Sequence, residues 1–141
     1  MPPTIKKSIR IAAPIEQVWA ALTDPKAISA WMGGPVKVTL RTGGKYAFFN
    51  GETTGKFVEI RKPNTLEYTW RQASWEKDWK DSAVRWELNA KGRSTYLRLA
   101  HGGFPNKEER DSHAEGWDTY WLKPMKAWLE RRSTQKKQDE R

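Results

Sequence analysis

The chain has no cysteine. That excludes disulfides, a thiol nucleophile, zinc–thiolate sites and iron–sulfur clusters, and it fits a reducing compartment. Histidine is scarce too, with only His101 and His113. A three-ligand zinc site would have to recruit carboxylates such as Glu115, and Asp111 and His113 face different sides of a helix, so no metal is expected. No apolar run approaches the roughly 18 residues of a membrane span. The start, MPPTIKKSIR, lacks the apolar centre of an export signal, so the expected location is cytoplasmic. Also missing are a Gly-x-Ser-x-Gly elbow, a Gly-x-Gly-x-x-Gly turn and a lysine-bearing phosphate loop. Serine-triad hydrolysis and nucleotide binding therefore have no support, and no cofactor is expected.

What the chain has in excess is aromatic: nine Trp, four Tyr and four Phe in 141 residues. Each buried ring removes roughly 150–250 Å² from water, which is enough to hold one core in a chain of this length. The second excess is positive charge, 26 Lys and Arg against 17 Asp and Glu, for a net +9. The densest groups are Lys6-Lys7-Arg10 and Arg131-Arg132 with Lys136-Lys137, and no RNA-binding signature accompanies them. This reads as a solvated basic surface. Nucleic-acid binding is expected to be weak, sequence-blind and salt-dependent, because it would rest on counterion release.

Apolar spacing sets the elements. Ile5, Ile9 and Ile11 share one parity, the pattern of a half-buried strand. Pro14 opens a helix carrying Ile15, Val18, Trp19 and Leu22 on one face. Asp24-Pro25 ends it, and a short second helix runs from Pro25 to about Ala30. Val36 to Leu40 and Tyr46 to Asn50 alternate on either side of Gly43-Gly44, which predicts a hairpin. Strands follow over 56–61, 65–71, 82–89 and 93–101, with connections too short for helical crossovers, so the sheet must be antiparallel. Asn106 caps a helix to about Arg132 with a stripe of Ala114, Trp117, Trp121, Met125 and Trp128, and Pro124 inside it predicts a kink. Residues 1–132 form one domain, and 133–141 are expected to be a disordered basic tail.

The order of Ala13-Pro14, Val18-Trp19, Ala21-Leu22-Thr23-Asp24-Pro25, Trp31, Gly43-Gly44, Gly55, Leu66-Glu67-Tyr68-Thr69-Trp70, His101-Gly102-Gly103-Phe104 and Gly116-Trp117 resembles the family named for the activator of the heat-shock-90 chaperone ATPase. It resembles a bacterial-type, single-domain member, within the superfamily of START and birch-pollen-allergen-like domains. The resemblance implies an α+β helix-grip fold. In it a curved antiparallel sheet of about six to seven strands wraps a long C-terminal helix, with two short helices after strand one. It also implies a cavity between sheet and helix.

The expected lining of that cavity is Trp31, Tyr46, Phe48, Trp70, Trp86, His101, Trp117, Trp121 and Met125, with Trp31 at the rim. Large rings on both walls and few polar groups point to non-enzymatic binding of a small hydrophobic or aromatic ligand. Two alternatives accompany it. One is a protein-partner domain without its own catalysis, meeting a chaperone or a second copy of the chain through Trp75, Trp79 and the basic face. Chaperone-activating relatives in eukaryotes carry a further N-terminal domain, so ATPase stimulation does not follow from the resemblance. The other is a cyclase- or hydrolase-like enzyme in the same cavity, with His101, Tyr68 and Glu87 as its acid–base candidates.

Overall fold

The computed structural model describes residues 2–139 of the chain. Strand β1 (Ile5–Ile11) is followed by helices α1 (Ile15–Thr23) and α2 (Pro25–Met32), which share one hinge residue. Asp24 closes α1 and caps α2, its carboxylate accepting from the Lys26 backbone N–H at 3.0 Å, with Pro25 pre-set in the first helical turn. Gly33, at φ 83°, ends α2 in the left-handed conformation that glycine adopts without strain.

Six further strands build the sheet: β2 (Lys37–Val38), β3 (Lys45–Phe48), β4 (Thr53–Arg61), β5 (Thr65–Gln72), β6 (Ser82–Lys91) and β7 (Ser94–Gly102). Their order is β1-β7-β6-β5-β4-β3-β2, antiparallel throughout. The first hairpin is shorter than its alternation predicts. Leu40 lies outside β2 and is exposed, because residues 39–44 form the turn itself. Gly44 is packed so closely there that a Cβ would sit 2.1 Å from the Thr39 carbonyl oxygen. Asn50 is not in β3 either. Phe49, Asn50 and Gly51 take left-handed φ values of 53°, 56° and 88° in a tight turn, which costs on the order of 1 kcal/mol or more at each non-glycine position.

Asn106 accepts from the Glu109 backbone N–H at 2.8 Å and starts α3 (Lys107–Gly116). The helical path then widens into a π turn over Trp117–Leu122 before α4 (Lys123–Asp139). This is how the chain accommodates Pro124. The Lys123 N–H reaches back to the Asp118 carbonyl, five residues earlier, so the ladder is re-spaced ahead of the proline. The wider turn also resets the helix phase. Trp117, Trp121, Met125 and Leu129, each four residues apart, all stay buried, together with Leu122. Ala114 and Trp128, expected on the stripe, are only half-buried, and the Arg132 guanidinium lies 4.5 Å over the Trp128 ring. α4 continues past the expected end at Arg132. Of the tail expected over 133–141, residues 140 and 141 lie outside the described residues.

The two short helices and the long helical segment cover one face of the sheet, and the core is the aromatic layer between them. Trp117 is 1% exposed and touches Trp70, Trp86 and Trp121 at ring-centroid distances of 4.9, 5.5 and 4.8 Å. Trp117→Ala should therefore cost about 3–5 kcal/mol, read as a lower urea midpoint. A loss under about 1 kcal/mol would mean that the ring does not anchor helix to sheet.

Candidate functional site

The nine residues expected to line a cavity do come together, but as a packed cluster. Tyr46 lies 4.5 Å from Phe48, Phe48 lies 5.2 Å from Trp121, and Trp121 lies 5.2 Å from Trp31, in tilted or edge-to-face arrangements. Such geometries are favoured by the ring quadrupoles and leave little free space. All nine are buried, Met125 completely. Trp31 is not a rim residue. The Asp24-Pro25 hinge folds α2 inward, leaving the ring 7% exposed with its Nε1–H donating to the Ala21 carbonyl at 2.9 Å.

The open space lies at one end of this cluster. A cleft of about 380 Å³ runs between the start of β4, the end of β5 and the α3–π junction. Its apolar wall is Phe49, Trp70, Trp117, Tyr120 and Trp121, and Thr53, Gln72, Ser112 and His113 add polar groups. Of the nine expected residues only Trp70, Trp117 and Trp121 line it. Phe49 and Tyr120 were not anticipated. The first sits in the left-handed turn, and the second is turned outward, 64% exposed, by the π segment.

The cleft is backed by hydrogen bonds that hold both histidines neutral. The Trp117 indole N–H, which can only donate, points at His101 Nδ1 at 3.0 Å. The proton of His101 is therefore on Nε2, which meets Ser82 Oγ at 2.8 Å, and that hydroxyl donates to the Trp70 carbonyl at 2.8 Å. His113 repeats the device with the other tautomer. Its Nε2 accepts from the Trp70 indole at 3.2 Å, while Nδ1–H donates to the Glu109 carbonyl at 2.7 Å. Burial is the main force lowering both imidazole pKa values, with His101 brought down to about 2 and the neighbouring His113 adding to its shift.

The three acid–base candidates are not assembled. Tyr68 is buried, its oxygen accepting from the Trp86 indole at 2.8 Å, and burial pushes its phenol well above the usual range. Glu87 lies between buried Trp86 and Leu88, so strand alternation puts it on the opposite sheet face from His101, paired with Arg85 and Arg98. Nor does the loop from Gln72 to Asp81 offer two free indoles. Trp75 is 5% exposed and donates to Glu109 Oε1 at 2.6 Å, while Arg71 ties the loop down through the Glu76 carbonyl at 2.6 Å and Asp81 at 3.3 Å. Among the described residues no cluster of three His, Asp or Glu side chains could hold a metal ion, and no helix is long and apolar enough to cross a membrane.

A seven-stranded antiparallel sheet closed over a C-terminal helix, with two short helices after β1, defines a helix-grip α+β domain. The chain belongs to the family of Activator of Hsp90 ATPase homolog 1-like proteins, whose sequence profile matches residues 12–130. It is 26% identical over 122 residues to an uncharacterized protein of Schizosaccharomyces pombe and 24% identical over 111 residues to the activator of 90 kDa heat shock protein ATPase homolog 1 of Mus musculus. The alignments cover 86% and 79% of this chain. The chain spans only about a third of the length of these curated relatives, 36% and 32%. The crystal structure of an HSP90 activator from Plasmodium falciparum superposes with a TM-score of 0.82 at 27% identity, covering 89% of this chain and 95% of that one.

The two neutral imidazoles make stability pH-dependent in a defined direction. The unfolded chain takes up protons near pH 6.5 that the native state refuses, so their contribution is complete above that pH and is lost as pH falls below it. Urea midpoints should fall from pH 7 toward pH 4, His101 alone contributing up to about 1.4 kcal/mol per pH unit. His101→Gln should lower stability at pH 7 and make the slope shallower. An imidazole that titrates near 6.5 in a native NMR series would contradict this account.

Proposed function

We propose that the chain is a binding module whose cleft takes a small, flat, largely apolar molecule. The observation that carries this reading is the cleft itself, aromatic on one side, edged by Thr53, Gln72, Ser112 and His113, and large enough for a ring system. Trp70, Trp117 and Trp121 form its inner wall. Trp31, Tyr46, Phe48, Trp86, His101 and Met125 act from behind, fixing those rings rather than touching the ligand. Native mass spectrometry of protein purified from its own host should show a co-purifying mass. Ser112→Tyr, which places a ring in the opening, should remove that mass and weaken quenching of tryptophan fluorescence by anilinonaphthalene sulfonate about tenfold, or roughly 1.4 kcal/mol. A protein that is always empty and shows no saturable quenching overturns the reading.

A second reading is favoured by one finding, the match over nearly the whole length of the Plasmodium HSP90 activator. On it the chain meets a heat-shock-90-type chaperone as a protein partner. Trp75 supplies no surface for that contact, being buried against α3. The protein should co-precipitate with the chaperone from the same host, whereas no co-precipitation together with a chaperone ATPase rate unchanged by saturating protein would remove this reading.

A further inference from the structure

On the outer face of the sheet, turned away from the helices, the arginines of β5–β7 are neutralised. Arg85 meets Glu59, Glu67 and Glu87 at 3.0–3.3 Å, Arg98 meets Glu87 at 3.0 Å, and Arg71 meets Asp81 at 3.3 Å. The lysines of β2–β4 are not. Lys37, Lys45 and Lys56 are all exposed, and among the described residues none of them forms an ion pair. The register puts them on one face. Tyr46 and Phe48 point into the core, so Lys45 and Ala47 point out; Lys45 is directly opposite Lys56, and Lys37 is opposite Ala47.

Like charges facing each other across two strands, with Cα atoms roughly 5 Å apart, destabilise the sheet they sit on. A lysine on the short edge strand β2 has a ready explanation, since charge there blocks edge-to-edge pairing. That explanation does not extend to Lys45 and Lys56, which lie one and two strands inward. The same end of the sheet also carries apolar surface. Backbone hydrogen bonds join the turn over 39–44 to Phe57, from Gly43 N–H to its carbonyl at 2.8 Å and from its own N–H to the Gly44 carbonyl at 2.9 Å. Leu40 in that turn and Val58 beside Phe57 are 44% and 48% exposed.

We infer that the outer face of β2–β4 is a docking surface for an acidic, apolar-containing segment of a protein partner, its carboxylates meeting Lys37, Lys45 and Lys56 and its apolar side chains meeting Leu40 and Val58. The inference deepens the protein-partner reading and is independent of the cleft. A polypeptide is favoured over nucleic acid because the cations are lysines without an accompanying exposed aromatic ring, which a single strand would stack upon, while the two exposed apolar side chains suit a peptide.

The test uses a fluorescein-labelled synthetic peptide alternating Glu and Asp with Leu and Ile, titrated into the whole protein. The triple variant Lys37→Glu, Lys45→Glu, Lys56→Glu should bind at least about tenfold more weakly, and wild-type affinity should fall as salt rises from about 50 to about 200 mM. A control with the same change in net charge, Lys26→Glu, Lys91→Glu, Lys107→Glu, should stay within about twofold of wild type. Amide NMR shifts caused by the peptide should centre on Leu40, Ala47, Thr54 and Val58. Circular dichroism establishes that both variants fold, and the neutral pair Lys45→Gln, Lys56→Gln should give an intermediate loss. Equal weakening in patch and control variants, shifts centred elsewhere, or an oligonucleotide that displaces the peptide from these lysines at lower concentration would each overturn the proposal. Chaperone co-precipitation decides the partner reading separately, because the peptide titration involves no chaperone.

Discussion

Five of the seven indoles buried in this core direct the N–H to an acceptor that folding alone brings within reach. Leaving one unsatisfied costs about 1–3 kcal/mol, comparable to a fair fraction of a small domain's whole stability. The acceptors found here are the Ala21 carbonyl for Trp31, His113 for Trp70, Glu109 for Trp75, the Tyr68 oxygen for Trp86 and His101 for Trp117. Three of these five bonds cross from one layer to another: β5 to α3, the β5–β6 loop to α3, and β7 to the π turn. The orientation of the helical segment on the sheet is thus held by directional bonds, where ring packing alone would tolerate sliding. Two of the acceptors are imidazoles, so the scheme works only while both are neutral.

A second constraint comes from one proline. Pro124 cannot give an N–H to the helical ladder, and the π turn just before it re-spaces the bonds that remain. The consequence reaches the cleft. The widened turn sends Trp117 and Trp121 inward and leaves Tyr120 outward, so a single backbone irregularity supplies both the inner wall and the outer lip of the opening. Across the cleft the left-handed turn at Phe49 and Asn50 supplies the opposing ring. Irregular backbone on both sides of an opening, on an otherwise regular fold, is where this family scaffold departs from a plain packed core.

Charge is organised on the other face of the sheet. Strand alternation assigns rings to one side and ionic groups to the other, so the aromatic cleft and the lysine face are separated by the thickness of the sheet. The two surfaces therefore share no residues.

Much of this was legible along the chain. Period-two and period-four spacing located the strands and both short helices, because burial on one side of an element leaves that trace directly in residue order. Asp24-Pro25 and Asn106 marked helix ends through backbone chemistry that needs no distant partner. Tyr46, Phe48, Trp70, Trp86, Trp117, Trp121 and Met125 were also identifiable as inward-facing. Whether they would line a space or fill it was not, since that depends on how rings from six separate elements interlock, and ring orientation is set by neighbours far apart in sequence. The same holds for Trp31 and Trp75, whose burial follows from folding of α2 and of the loop over 72–81 onto other elements. The unbalanced lysines are invisible in a net charge of +9, which weights all basic residues alike. Local backbone preference and hydrophobic period determined the fold; tertiary registration decided the tautomers, the location of the cleft and which charges go unanswered, because each depends on pairs of groups that meet only once the sheet has closed over its helix.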